Sequence, residues 1–155
     1  MSKNLTTSFV AAIAVGVFMV FAVVQARPVT AGTVELAAIT EMKDPLTKPD
    51  PERGKKVFSN RKLGNCLACH QLEAMKDQPF HGEVGPPLDG VGSRYSVAEL
   101  RLRIVDPKAL NPDTIMPSFY KTEGLHRVMK QFAGKPILTA QQVEDLLSYL
   151  ATLKE

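Results

Sequence analysis

The sequence Asn65-Cys66-Leu67-Ala68-Cys69-His70 is a C-x-x-C-H motif, and it contains the only two cysteines of the chain. Two thiols at this spacing can form thioethers with the two vinyl groups of one porphyrin, and the adjacent histidine can then bind the iron. A redox-active dithiol would need a β-α-β context that the flanking sequence does not show, and a zinc site would need further ligands. The motif therefore predicts one covalently bound haem c, attached through Cys66 and Cys69, with His70 as an axial iron ligand.

An iron bound to His70 needs a second axial ligand, unless the position stays open for oxygen or peroxide. Met116 is the preferred candidate because Pro112 and Pro117 flank it, prevent a helix and stiffen the loop that would hold its thioether. The remaining methionines and histidines fit less well, by position or because such residues usually serve packing or the surface: Met42, Met75, Met129, His81 and His126. A His70/Met116 pair saturates the iron, which favours one-electron transfer over catalysis at this haem.

A loop rich in glycine and proline, residues 83–95, lies between the two predicted ligands. We expect it to line the proximal side of the haem, where the carbonyl of Pro86 can accept a hydrogen bond from the second ring nitrogen of His70. Arg94 and Tyr95 are candidates for hydrogen bonds to the haem propionates. The alternative for these two residues is an ordinary surface arginine and a half-buried tyrosine.

Helix caps and breakers predict three main helices. The first begins at Pro51 and ends near residues 59–60. The second follows a capping box that starts at Ser96 and stops before Asp106-Pro107, and the third follows another capping box that starts at Thr139 and runs to the C-terminus. We also expect the charged stretch 124–132 to be helical.

These helices predict an all-α cytochrome domain in which three or four helices surround one haem, because no strand of convincing length is present. Gly54 would allow the first and last helices to approach closely, and Phe58 and Tyr149 are the expected aromatic contacts between them. Residues 119–138 form a long insertion between the methionine loop and the last helix.

The N-terminus has the pattern of a secretory signal peptide. Residues 9–24 are all apolar or glycine, Lys3 is the only charge before them, and Ala26 is a small residue suited to cleavage. Cleavage as late as residue 31 and an uncleaved membrane anchor are the alternatives, since the apolar run approaches the length that spans a bilayer. We therefore predict a signal peptide at 1–26, an extended segment at 27–50 and a cytochrome domain at 51–155, outside the cytoplasm.

Length and composition are consistent with one such domain. The chain has 155 residues, of which 45% are hydrophobic and 23% charged, and this composition is typical of globular proteins. Its net charge of +3 falls to about +2 without the predicted signal peptide, which contains one lysine and no acid. That charge is too small to indicate a nucleic-acid-binding surface.

The pattern from residue 51 to residue 154 resembles class I c-type cytochromes. Within them it is similar to the SoxX family, the small monohaem subunits of periplasmic SoxXA complexes. The matching features are Gly64-Asn65-Cys66-Leu67-Ala68-Cys69-His70, the 85–95 loop, Thr114-Ile115-Met116-Pro117 and Gly134-Lys135-Pro136-Ile137-Leu138-Thr139. No thioether or iron-ligand position departs from that pattern.

The resemblance implies a periplasmic subunit of an L-cysteine S-thiosulfotransferase. In that family, a SoxA-like cytochrome carries out the sulfur chemistry, a SoxYZ-like carrier supplies the cysteine, and the SoxX-like haem passes electrons to a downstream acceptor. This chain would therefore be an enzyme subunit without a catalytic residue of its own. A free-standing periplasmic monohaem carrier is the alternative function.

Overall fold

The structure is a computed structural model that describes residues 46–155. It contains the helices α1 (Pro51–Ser59), α2 (Val91–Arg94), α3 (Val97–Val105) and α4 (Ala140–Leu150). Single turns of 3₁₀-helix occur at Cys66–Ala68, Glu73–Met75, Pro107–Ala109 and Lys130–Phe132. No strand occurs between residues 46 and 155, so the all-α prediction is confirmed.

The predicted signal peptide lies outside the described residues, as does the extended segment up to residue 45. Among residues 46–155, no helix combines the length and the apolar character needed to cross a membrane.

The N-terminal caps of α3 and α4 follow the sequence prediction, and α1 begins at Pro51 as predicted. Asp50 precedes α1, and its carboxylate accepts the backbone N–H of Glu52 at 2.8 Å. Before α3, Ser96 and Glu99 exchange hydrogen bonds in a capping box, with a distance of 2.8 Å from the Ser96 N–H to the Glu99 carboxylate. Thr139 begins the equivalent box before α4. Each cap satisfies N–H groups that the first turn of a helix leaves without a partner.

Helices α1 and α4 cross at Gly54. A Cβ atom at this position would lie 2.0 Å from the backbone oxygen of Asp145, so no larger residue fits without moving a helix. Next to the crossing, Phe58 packs edge-on against Tyr149 with ring centroids 5.6 Å apart. The predicted close approach and aromatic contact are therefore both present.

The core lies around this crossing and continues under the loops that surround the C-x-x-C-H motif. Phe58, Val143 and Leu146 are fully buried, and so is Leu138 at the end of the insertion. Leu72 and Met75, which follow His70, are also buried in this cluster. Met75 thus serves in packing, which agrees with its rejection as an iron ligand.

The insertion differs from the sequence expectation. The predicted helix at 124–132 is wrong, because this stretch contains only the 3₁₀ turn Lys130–Phe132. Gly124 and Arg127 have φ angles of +66° and +59°, which an α-helix does not permit. Val128 and Met129 are exposed, so the stretch has no buried apolar stripe that would stabilise a helix.

A buried carboxylate, Asp145, holds the start of α1 against α4. Its Oδ1 and Oδ2 atoms accept hydrogen bonds from the Arg53 guanidinium, both at 2.8 Å. The backbone N–H of Asp50 and the side chain of Gln141 donate to Oδ1, both at 2.9 Å. Burial alone would raise the pKa of Asp145, but together these hydrogen bonds and the charge of Arg53 keep its pKa below the ordinary value.

The lowered pKa predicts a specific loss of stability in acid. The folded state favours ionised Asp145, so its contribution is complete above about pH 5 and is lost as pH falls through the folded-state pKa. Asp145→Asn should lower the free energy of unfolding by about 2 kcal/mol at pH 7, because it weakens several charge-assisted hydrogen bonds. The difference between the two proteins should shrink towards pH 2 in urea titrations, whereas a constant difference would show that charge is not involved.

Candidate haem site

The C-x-x-C-H motif forms a compact turn directly after α1. Asn65 adopts the left-handed conformation with φ +49°, and the 3₁₀ turn Cys66–Ala68 follows it. The backbone N–H groups of Cys69 and His70 both donate to the carbonyl of Cys66, at 3.1 and 2.9 Å. The turn therefore holds both thiols and the imidazole in one short, hydrogen-bonded unit.

The surroundings of Cys66 favour a neutral sulfur. A Cβ atom on the preceding Gly64 would lie 3.2 Å from Cys66 Sγ, so the glycine leaves room for the sulfur. Burial raises the pKa of the Cys66 thiol to about 12. Burial disfavours the charged form of this sulfur, and an uncharged thioether suits such an environment. No group of three His, Cys, Asp or Glu side chains suited to a metal ion occurs in 46–155.

His70 is oriented by a hydrogen bond to the carbonyl of Pro86. The distance from Nδ1 to this oxygen is 2.7 Å, and a carbonyl oxygen can only accept, so Nδ1 carries the proton. The lone pair of the neutral ring therefore lies on Nε2, which is the atom available to iron. A hydrogen bond of this kind fixes both the tautomer and the ring orientation of a metal-binding histidine.

The loop that carries Pro86 is held tightly against the C-x-x-C-H turn. Gly82 N donates to the Leu67 carbonyl at 2.8 Å, and Gly85 N donates to the Cys69 carbonyl at 2.7 Å. Gly85 also lies against the imidazole, since a Cβ atom there would be 2.3 Å from His70 Cε1. Only a glycine fits at this contact without displacing the ring.

Met116 lies in an irregular loop between α3 and the insertion. Its side chain is half-buried and packs against the same apolar core that Cys66 borders. Its backbone N–H donates to Thr114 Oγ1 at 3.2 Å. Two residues after Pro117, the backbone N–H of Phe119 donates to the carbonyl of Ile104 at 2.9 Å, which attaches the end of the loop to α3.

The donor set fits a covalently attached haem. Two thiols, an imidazole whose Nε2 has no hydrogen bond to the residues of 46–155, and a thioether in a fixed loop are the groups that would form two thioether bonds and two axial iron bonds. A family model described as Cytochrome c matches residues 51–154. The chain belongs to the cytochrome c family. The predicted haem c is therefore the cofactor that this family implies.

A solved structure shows which kind of cytochrome c the chain is similar to. A chain in the crystal structure of SoxXA from P. pantotrophus is 43% identical, with a TM-score of 0.65. The match covers 70% of this chain and 85% of that chain. A search of curated proteins finds no match. Together, the family and the structural match support a SoxX-like class I cytochrome c, as the sequence resemblance predicts.

Arg94 and Tyr95 lie at the end of the 83–95 segment, where Arg94 is the last residue of α2 and Tyr95 follows it. The Arg94 guanidinium donates to the backbone carbonyls of Pro87, at 3.0 Å, and Asp89. The Arg103 guanidinium lies 3.9 Å from the centre of the Tyr95 ring. Both side chains thus support the fold around the loop, and their role at the haem propionates stays a prediction.

Lys108 is a residue of the cytochrome domain that sequence reasoning missed. Its ammonium group donates to the carbonyls of Pro112 and Thr114, at 3.0 and 2.7 Å, and thereby closes the loop before Met116. An exposed lysine after Asp106-Pro107 has no distinguishing pattern, because its partners are backbone atoms. Only its proximity in sequence to the methionine loop could have suggested this contact.

Lys108→Met should loosen the loop that presents Met116. Loss of two hydrogen bonds at an exposed site should destabilise the closed loop by about 1 kcal/mol. The equilibrium between bound and displaced methionine should then shift roughly five-fold towards the displaced form. The measurement is the intensity of the charge-transfer absorption that reports methionine ligation in ferric cytochromes, followed against temperature. Lys154→Met, a matched change at the C-terminus, should leave that absorption unchanged, and an equal loss in both variants would exclude a specific role for Lys108.

Proposed function

We propose that this chain is the haem-bearing electron-transfer subunit of a periplasmic L-cysteine S-thiosulfotransferase of the SoxXA type. The bound haem c would supply a one-electron redox centre. Cys66 and Cys69 would attach it, and His70 and Met116 would be its axial ligands. One haem is proposed because the sequence contains one C-x-x-C-H motif and no further cysteine.

The observation that carries this proposal is the 43% identity to the chain of SoxXA from P. pantotrophus. The site geometry supports an electron-transfer role, because a histidine with a fixed tautomer and a methionine in a closed loop would leave no iron position for a substrate.

The proposed reaction forms a sulfur–sulfur bond between thiosulfate and a cysteine of a carrier protein. One thiol proton and two electrons are released when the bond forms. Both cysteines of this chain would be occupied by thioethers, so neither can carry the sulfur. A SoxA-like haem partner would perform the coupling with a SoxYZ-like carrier, and this chain would pass the electrons to a downstream acceptor.

Location outside the cytoplasm is part of the proposal. It is supported by the apolar run at 9–24 and by the C-x-x-C-H motif, because c-type haem attachment and an export signal point to the same compartment. Fractionation of cells that express the full chain would test it, since the mature protein should appear in the periplasmic fraction and begin after residue 26 or, with the later cleavage, after residue 31.

The test of the proposed function is a pull-down of the tagged mature protein from thiosulfate-grown cells. A larger haem protein should copurify in stoichiometric amount, and thiosulfate plus a carrier thiol should reduce the haem of this chain only in its presence. A lone monohaem protein that accepts electrons only from general donors would contradict the proposal. That result would favour the free-standing carrier.

A further inference from the structure

A shallow groove of about 410 Å³ lies against the C-x-x-C-H turn. Leu67 and Ala68, the two residues between the cysteines, line it. Ser59 and Arg61, at the end of α1 and just after it, also line the groove, and so does Phe80. The groove is therefore one residue away from both positions at which the haem would be attached.

Phe80 is unusual both in exposure and in backbone conformation. Its side chain is 77% exposed, although it is a large aromatic residue. Its φ angle is +67°, a region that is strained for a bulky side chain. The Arg61 guanidinium lies 5.0 Å from the centre of its ring, which holds the ring against the groove rather than in the core. Burial within this chain does not compensate the strain, and strained residues of this kind cluster at functional sites.

Arg61 lines the groove, and three exposed lysines lie close to it in sequence, on α1 or directly after Arg61. Lys55, Lys56, Arg61 and Lys62 are all exposed, and none forms an ion pair with another described residue. Lys55 lies on the same helix face as Ser59, whose hydroxyl donates to the Lys55 carbonyl at 3.2 Å. Asp77, in the loop before Phe80, is an exposed acid that also lies near the groove. Its single negative charge is smaller than the sum of the four positive charges, so the local charge remains positive.

We propose that an acidic surface of the haem-bearing partner docks on this groove, with Phe80 and Arg61 as its anchors. This inference rests on the proposed function, because it assigns the place where that partner binds. Aromatic and arginine side chains dominate the binding energy of protein interfaces, and four unpaired cations select an acidic partner and accelerate its association. A partner seated here would also lie next to the haem-attachment turn, which shortens the path for electrons.

The experiment measures binding of the larger haem protein that copurifies with the wild-type chain, after it has been separated and purified. Phe80→Ala should raise the dissociation constant roughly thirty-fold, as expected when a central anchor is removed. Phe80→Tyr keeps the ring and should stay within about two-fold of wild type. Arg61→Glu should slow association and reduce its dependence on salt. The haem spectrum and melting temperature should not change, which separates binding from folding.

Two matched variants serve as controls. Val97→Ala removes another exposed apolar side chain, 42% exposed at the start of α3, and Lys154→Glu makes the same charge change as Arg61→Glu at the C-terminus. Neither should alter binding. Wild-type binding with no effect of Phe80→Ala or Arg61→Glu would overturn the docking site and leave the proposed function intact. A larger loss from Arg127→Glu in the insertion would also overturn it, and absence of any wild-type binding would overturn both proposals.

Discussion

Glu144→Ala is expected to lower the free energy of unfolding by about 3 kcal/mol. Glu144 on α4 accepts hydrogen bonds from Arg101 on α3, at 2.9 Å from Nε and 2.7 Å from Nη2. The two side chains are only 8% and 11% exposed. Removal of the carboxylate deprives a buried guanidinium of its bidentate partner, and solvent cannot replace those bonds. Urea unfolding of the haem-attached protein, followed by circular dichroism and haem absorption, measures the loss.

The reason for this loss can be tested with a double variant. Arg101→Met with Glu144→Leu replaces both charges by apolar side chains, and such replacements are often neutral or stabilising. The double variant should therefore be more stable than Glu144→Ala alone. Glu73→Ala removes one member of an exposed pair with Lys76 and should have little effect. Equal losses in Glu144→Ala and the double variant would show that the ion pair itself contributes the stability, and that the unpaired guanidinium is not the cause of the loss.

Helix α4 links the two other long helices through adjacent residues. Asp145 binds Arg53 of α1, and Glu144 binds Arg101 of α3. The chain continues from α1 to the C-x-x-C-H turn and from α3 to the methionine loop. These two contacts therefore help to fix the position of the turn relative to the loop. Two buried carboxylates of α4 thus help to set the positions of the helices that lead to the two halves of the site.

The three long helices were predictable because their signals are local, whereas the short helix α2 lies in the segment 83–95 that was predicted as a loop. The cap at Ser96, the cap at Thr139 and the proline that begins α1 each act within four residues, and all three helices begin where these signals occur. The buried pairs of α4 were not predictable, because Glu144 and Asp145 look like solvent-exposed residues in an amphipathic pattern. Their burial depends on which helices pack against α4, and sequence periodicity does not give that information.

The contacts of the candidate site also divide into those that the sequence could predict and those that it could not. The hydrogen bond from His70 to Pro86 could be predicted, because ligand histidines need an acceptor and the Gly-Pro loop offers a carbonyl. The contact of Gly85 with the imidazole and the closure of the methionine loop by Lys108 depend on backbone positions that no residue type reveals. The helix predicted for 124–132 does not form, because this charged segment has no apolar face that it could bury.

Met116→Ala should leave the haem attached but abolish its low-spin spectrum with histidine and methionine as axial ligands. Cys66 and Cys69 would be unaffected, so covalent maturation should proceed, whereas Cys66→Ala with Cys69→Ala should prevent it. The ferric protein is expected to become high-spin or water-ligated. Its reduction potential should fall, because a thioether ligand favours the ferrous state and water does not. Optical and electron paramagnetic resonance spectra measure the spin state, and a redox titration measures the potential.

Met129→Ala is the matched control for this prediction. Met129 is 64% exposed in the insertion, whereas Met116 is half-buried, packs against the core and lies in a loop closed by Lys108. Ligation requires a side chain held at a fixed position, since an unrestrained thioether would lose conformational entropy on binding iron. Met129→Ala should therefore keep the wild-type spectrum. If Met116→Ala kept that spectrum and Met129→Ala or His126→Ala removed it, the axial ligand would lie in the insertion, and the insertion would have to fold over the haem rather than face solvent.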